Sequence, residues 1–312
     1  MMNQPEFNEL FEHCITYPDI ESRDRLARLV GLDYQITRLS KILGLLVNPV
    51  GLKNWIETYH PNAKTIAEIL LRRPPLVVLA GDVGSGKSEL AETIGNAVAE
   101  QENIDITLLP LSLSTRGQGR VGEMTQLLSA AFDYTIDKAN KLRGNSGHAR
   151  GAVILLVDEA DALAQSREAT QMHHEDRAGV NAFIRGVDRI ANGKFPAAVI
   201  MCTNRLSALD PAVRRRAADI LVFERPNDCQ RRAVIEQPLK DIGLTNAQVE
   251  KMVSFTGACN RREYGFTFSD LVQRLLPAIV LDAYPKGPVN AEQALNLAKQ
   301  MAPTPPFKDD GV

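Results

Sequence analysis

Residues 81–88 read Gly-Asp-Val-Gly-Ser-Gly-Lys-Ser, directly after an apolar run over 75–80 and directly before a helix-forming stretch. A buried strand that breaks into a glycine-rich turn and re-enters as a helix is the P-loop pattern in the context it requires. It constrains the whole chain, because such a strand must sit in a helix-covered sheet whose strand ends face a ligand. The glycines let the backbone curl until its N–H groups face one point, and the helix adds its positive end to the same place. The ligand this arrangement favours is a nucleoside triphosphate. Gly81, Asp82, Val83, Gly84, Ser85 and Gly86 form the cradle, and Glu89 lies in the same binding segment. Lys87 is expected to reach the β and γ phosphates and Ser88 to ligate Mg²⁺.

Downstream, short apolar runs at 104–109, 152–157, 197–202 and 220–223 alternate with longer amphipathic stretches. With the run at 76–80 they predict a five-stranded parallel sheet in an α/β fold. The run at 104–109 lies between the P-loop and the run at 152–157, so one strand is expected to separate the strands carrying those two. Helical periodicity at 22–30 and 34–46 predicts a short helical region ahead of the sheet, and from residue 228 onward no strong strand pattern occurs. The expected organisation is a helical N-terminal region over 1–29 and an α/β domain over 30–226. A small all-helical lid follows over 227–302, then a disordered, Pro-rich tail over 303–312.

The second informative segment, 152–161, reads Ala-Val-Ile-Leu-Leu-Val-Asp-Glu-Ala-Asp. Asp158 and Glu159 fall at the C-terminal end of a buried strand, where open α/β sheets bind ligands. Asp158 is expected to hold Mg²⁺, and Glu159 to polarise an attacking water. A further buried strand ends at Asn204, placed to hydrogen-bond that water or the γ-phosphate. Arg214, Arg215 and Arg216 follow a short Pro-started helix. By themselves they read as a solvated surface, and the alternative is that Arg215 and Arg216 reach a neighbouring copy's γ-phosphate.

These motifs, in this order and spacing, resemble the AAA+ ATPases over about residues 30–276. Val30-Gly31-Leu32-Asp33 resembles the segment that frames adenine in that group, which adds Gly31 and Leu32 to the nucleotide-binding set. Within AAA+, the chain is similar to the HORMA-domain remodellers, the pachytene-checkpoint and thyroid-receptor-interacting ATPase family with its short bacterial members. The residues that carry this likeness are 158–163 with Arg167, the run 177–183, and Val187-Asp188. The resemblance implies a homohexamer that opens a HORMA-domain protein, in bacteria one that activates a nucleotide cyclase in antiphage cyclic-oligonucleotide signalling. Arg116, Gly119, Arg120 and Val121 fall where such rings carry their first pore loop. Gly119 and Arg120 stand there in place of a basic residue and an aromatic, so Arg120 is the expected grip. Ser269 stands where a lid sensor arginine occurs in relatives, and no replacement arginine is assigned.

Net charge is −2 over 312 residues, which provides no general drive toward nucleic acid, so a nucleic-acid-linked AAA+ loader is the alternative function rather than the first. No run approaches the ~20 apolar residues of a membrane span, and residues 1–14 lack the pattern of a signal peptide. A soluble, cytoplasmic protein is expected. The four cysteines show no metal-binding spacing. Trp55 and Tyr59 are expected to pack inside a helical hairpin. The doublets Arg72-Arg73, Arg231-Arg232 and Arg261-Arg262 are expected on solvated faces.

Overall fold

The computed structural model describes residues 6–112, 123–144, 149–161, 174–207, 209–259 and 262–306. They fall into two compact units, one drawn from within 1–27, 34–80 and 88–221, the other from within 28–33, 81–87 and 222–306. In chain order the first described elements are α1 (Phe7–Leu10), β1 (Ile15–Tyr17), α2 (Ile20–Ala27), α3 (Asp33–Val47), α4 (Val50–Tyr59) and α5 (Lys64–Leu71). Next come β2 (Leu76–Gly81), α6 (Lys87–Glu102), β3 (Asp105–Pro110), α7 (Glu123–Lys141), β4 (Gly151–Val157) and α8 (His174–Gly193). β5 (Ala197–Thr203), α9 (Pro211–Arg214) and β6 (Ala217–Phe223) complete the sheet region.

The strands form one six-stranded sheet in the order β1-β3-β4-β5-β2-β6. Two expectations are corrected here. The sheet has six strands, not five, because Ile15–Tyr17 adds an antiparallel edge against β3. A three-residue strand ending before a proline leaves too short a pattern to read. The strand between those of the P-loop and of Asp158 is also not the one at 104–109. It is β5, which pairs in parallel with β2 on one side and β4 on the other. β3 lies beyond β4. Chain order says little about sheet order here, since a helical crossover can carry the chain past positions that later strands fill.

Every residue of β4 and β5 is buried. That explains their unbroken apolar sequences, because a strand covered on both faces has no polar side to alternate with. The N-terminal region is part of this unit. Tyr17 is fully buried, and its hydroxyl donates to the carbonyl of Glu92 in α6. Arg25 of α2 forms ion pairs with Glu89 at 2.8 Å and Glu92 at 2.6 Å on the same helix. On α4, Trp55 and Tyr59 are exposed, contrary to expectation, with their rings 6.0 Å apart.

The second unit contains α10 (Asp228–Asp241), α11 (Asn246–Thr256), a π-helical turn (Asp270–Leu275), α12 (Leu276–Ala283) and α13 (Ala291–Gln300). Asn227 and Gln230 cap α10 reciprocally, as Thr245 and Gln248 cap α11. The core of the unit includes Ile235, Leu239, Met252, Phe266, Leu271 and Leu275. Pro277 at the start of α12 has no N–H for a carbonyl one turn back, in keeping with the wide turn before it. None of the three arginine doublets is simply solvated: in the first unit Arg73 donates to the Ala218 carbonyl. Arg231 is buried and donates to the Pro226 carbonyl at 2.7 Å. Arg262 stacks on Phe266 and binds carbonyls at the end of α13.

In the first unit, Phe132 of α7 and Phe183 of α8 are fully buried and meet edge to face at 5.8 Å. A Cβ on Gly186 would lie 2.3 Å from the Phe132 ring. Helix propensity alone favours Gly186→Ala by ~1 kcal/mol, but a rigid ring in a packed core cannot yield that distance. Gly186→Ala is therefore expected to lower stability by about 1–3 kcal/mol, read as a lower urea midpoint. Phe132→Ala costs about 3–5 kcal/mol, and the double variant loses less than the sum because the new methyl occupies vacated space.

Candidate active site

The P-loop belongs to the second unit and is held there by its own chain. Gly81, Gly84 and Gly86 have φ of 152°, 71° and 92°, the left-handed region in which only glycine is unstrained. All three are also crowded, Gly81 most of all, where a Cβ would lie 2.1 Å from the Phe223 carbonyl oxygen. A Cβ on Gly84 would lie 2.8 Å from Ser269, and one on Gly86 would lie 3.0 Å from Leu32. The Gly84 carbonyl accepts from the Ser269 N–H at 3.1 Å. Ser269, at the position of a sensor arginine in relatives, thus supports the P-loop through its backbone. Leu32 is buried, and the Gly31 carbonyl accepts from Gln230 of α10 at 2.7 Å. Gly31, Leu32 and Gly86 are brought together as one cluster.

Lys87 opens α6 and is buried; its ammonium donates to the carbonyls of Gly81 at 2.9 Å and Asp82 at 2.8 Å. The Asp82 carboxylate accepts from Val83 N–H at 2.9 Å and from Arg225 at 2.6 Å. Ser85 is buried and Val83 exposed.

The remaining site residues lie in the first unit, where the sheet register sets their places. Val157 pairs with Met201, and Ala80 pairs with Thr203. Asp158 and Asn204 therefore leave adjacent strands at the same end, and β2 runs out toward the P-loop at that end too. Asp158 Oδ1 accepts from the Glu159 N–H at 2.8 Å. Glu159 is exposed and has φ of 48°, a left-handed conformation uncommon for a residue with a side chain and typical of functional turns. The next N–H, of Ala160, returns to the sheet by bonding to Cys202 at 3.0 Å.

Asp161 is the residue whose role the sequence did not disclose. Its carboxylate accepts from the Thr203 hydroxyl at 2.7 Å, the Asn204 N–H at 2.8 Å and the Asn204 amide at 3.2 Å. It thereby fixes both the backbone and the side chain of Asn204. Only its place three residues after Asp158 hinted at this.

The three arginines divide. Arg214 and Arg215 are exposed. Arg216 forms a fork with Asp188 of α8, at 2.7 and 2.9 Å, and also donates to the Ala212 carbonyl at 3.1 Å. The bonds to Asp188 hold its guanidinium even more firmly protonated than usual. Arg116, Gly119, Arg120 and Val121 lie outside the described residues.

The donor set suits ATP with Mg²⁺. The loop carries a buried lysine at the start of a sixteen-residue helix. Ser88 and Asp158 offer a hydroxyl and a carboxylate, the hard oxygen ligands Mg²⁺ prefers. Among the described residues no three His, Cys, Asp or Glu side chains converge as a metal site. A cation here would thus complete its shell with phosphate and water oxygens. Among the described residues, no helix is long and apolar enough to cross a membrane.

Residues 77–225 match the family described as "ATPase family associated with various cellular activities (AAA)". The chain is 65% identical to CD-NTase-associated protein 6 of Escherichia coli strain MS 115-1, over 98% of each chain. It is similar to the solved structure described as the E. coli MS115-1 HORMA:CdnC:Trip13 complex. The TM-score is 0.92 at 64% identity, covering 98% of this chain and all (100%) of that one. The Rhizobiales Trip13 structure matches with a TM-score of 0.76 at 57% identity, over 95% of this chain and 100% of that one. The chain therefore belongs to the AAA ATPases, in the Trip13-like family of CD-NTase-associated protein 6.

Proposed function

We propose that this chain hydrolyses ATP to ADP and phosphate and uses the energy to open or partly unfold a HORMA-domain partner, switching off antiphage cyclic-oligonucleotide signalling. The observation that carries this reading is the 64% identical relative, matched over 98% of the chain, whose structure is a complex with HORMA and CdnC. A nucleotide cyclase bound to the HORMA protein is the corresponding second partner.

In this reading Lys87 exchanges its loop carbonyls for the β and γ phosphates. Ser88 and Asp158 would hold Mg²⁺, which would supply positive charge against that developing on the phosphates. Glu159 takes a proton from the attacking water, whose oxygen forms the new bond to the γ-phosphorus as ADP departs. Asn204 orients that water, and Asp161 orients Asn204. Arg215 acts on the site of the neighbouring copy, while Arg216, tied to Asp188, anchors the segment that presents it.

A homohexameric ring accommodates this arrangement. Each unit carries exposed apolar side chains that a monomer has no reason to leave in water: Trp55, Tyr59, Ile66 and Ile69 on one, Val272, Leu281 and Tyr284 on the other. A closed ring of copies buries them by heterologous contacts. The pore-loop segment, with Arg120 as its grip, pulls on the substrate. The compartment is the cytoplasm, where the cyclase would meet its activator.

Three outcomes are expected. Glu159→Gln retains ATP binding but turns over at least ~10²-fold more slowly. Held with ATP and recovered from native lysate, it brings down a HORMA-fold protein by mass spectrometry. Recovery of DNA-bound replication proteins instead overturns the substrate class. Asp161→Ala lowers kcat by about 10- to 100-fold through misplaced Asn204, with nucleotide affinity unchanged in equilibrium titration. Arg120→Ala leaves basal hydrolysis intact and abolishes remodelling, measured as failure to dissociate the partner complex.

A further inference from the structure

Arg225 ends the segment shared with the AAA family and has no role in any of the motifs above. It nonetheless binds three separate segments of the second unit. Its guanidinium binds the Asp82 carboxylate at 2.6 Å, and the two side chains are only 14% and 15% exposed. It donates to the Gly265 carbonyl at 2.7 Å and to the Thr304 carbonyl at 2.7 Å, and it stacks on Tyr264 with 4.7 Å to the ring centroid. One planar group thus joins the P-loop, the lid and the C-terminal segment.

Thr304 is held from the other side as well. Asp270 is fully buried and accepts from the Thr304 N–H at 3.0 Å and the Thr304 hydroxyl at 2.7 Å. The same carboxylate accepts from the Thr267 N–H at 3.0 Å and from Arg274 at 2.6 Å. Burial alone would push its pKa up, but the bonds from Thr267, Thr304 and Arg274 outweigh burial and hold it below the usual carboxylate range. Asp270 is therefore charged at neutral pH and keeps Thr304 in place. Residues 303–306, expected at the start of a disordered tail, include this tethered threonine; 307–312 lie outside the described residues.

We propose that the C-terminal segment at Thr304 is a brace for the nucleotide loop, with Arg225 as the positioning residue. Thr304 and Gly265 orient the guanidinium, the guanidinium fixes Asp82, and the Asp82 carbonyl is one of the two that hold Lys87. The Thr267–Ser269 segment, which contacts Gly84, is bound to the same Asp270. Loop occupancy and tail docking are then two readings of one equilibrium, coupled equally in both directions. This supplies the lid with a nucleotide sensor in the absence of a sensor arginine at Ser269. The proposal rests on the reading that the loop binds ATP.

The test uses the full chain, Arg225→Ala, Arg225→Lys and a chain ending at Ala302. Affinity is titrated with a fluorescent ATP analogue, KM and kcat are measured, and amide exchange at Thr304 is followed with and without ATP. Arg225→Ala and the shortened chain are expected to raise Kd and KM about 10-fold, the scale of a lost charged hydrogen bond, with kcat within about 2-fold. Arg225→Lys keeps the charge but not the fork and falls between. In the full chain, ATP slows exchange of the Thr304 amide. An unchanged Kd in the shortened chain, or Thr304 exchange indifferent to ATP, overturns the brace. If Arg225→Ala fails to fold in a thermal melt, the shortened chain and the lysine variant decide. Lys87→Ala separates the two readings. Retained affinity there refutes the ATP site and the brace with it, whereas loss there with full affinity in the shortened chain refutes the brace alone.

Discussion

The parallel ladder β4-β5-β2 is the constraint on which the rest depends. Its strands are buried along their length and bonded in fixed register, Val157 opposite Met201 and Ala80 opposite Thr203. A slip by one residue would turn every apolar side chain to the other face. Burial on both faces penalises that slip twice. The register therefore sets, without further help, which residues emerge together at the C-terminal edge. Those are Asp158 and Asn204, which leave β4 and β5 side by side.

The edge needs more than register, because strand ends are where a sheet loosens its hold. At β5 the hold is Asp161, whose carboxylate takes the Thr203 hydroxyl and two donors from Asn204. At β4 it is the Ala160 N–H returning to Cys202, with Glu159 forced into a left-handed turn between two fixed points. The strain at Glu159 is thus local and supported on both sides. That is the condition under which an unfavourable backbone conformation persists. It leaves the carboxylate of Glu159 exposed rather than folded into the capping interactions that occupy Asp158.

Much of this was legible in the sequence, for a physical reason. Fully buried strands are written as unbroken apolar runs, so β2, β4 and β5 and the residues just after them could be read directly. The P-loop was legible because each of its crowded glycines excludes other side chains. What could not be read was whatever depends on long-range placement. Ile15–Tyr17 has no periodicity of its own and becomes a strand only because Tyr17 finds a buried place against α6. The position of β5 between β2 and β4 follows from three-dimensional crossover, not from chain order. Arg225 and Thr304 lie 79 residues apart and belong to no motif, yet they meet at the loop. Arg231 read as surface because a doublet of arginines shows nothing of the carbonyls that bury it.

Lys87 shows why such unannounced supports matter to the chemistry. Its buried ammonium is already satisfied by two loop carbonyls. On the proposed reading, nucleotide binding is an exchange of neutral acceptors for charged ones, and only the difference appears as affinity. That difference is largest when the loop keeps its shape after the lysine turns away. Otherwise the freed carbonyls of Gly81 and Asp82 collapse toward other donors, and ordering the loop consumes the gain. The contacts that do not involve the lysine, Ser269 to Gly84 and Arg225 to Asp82, retain the shape through the exchange. A nucleotide loop stabilised only by its own lysine would bind weakly; one stabilised from the lid side can release the lysine at little cost.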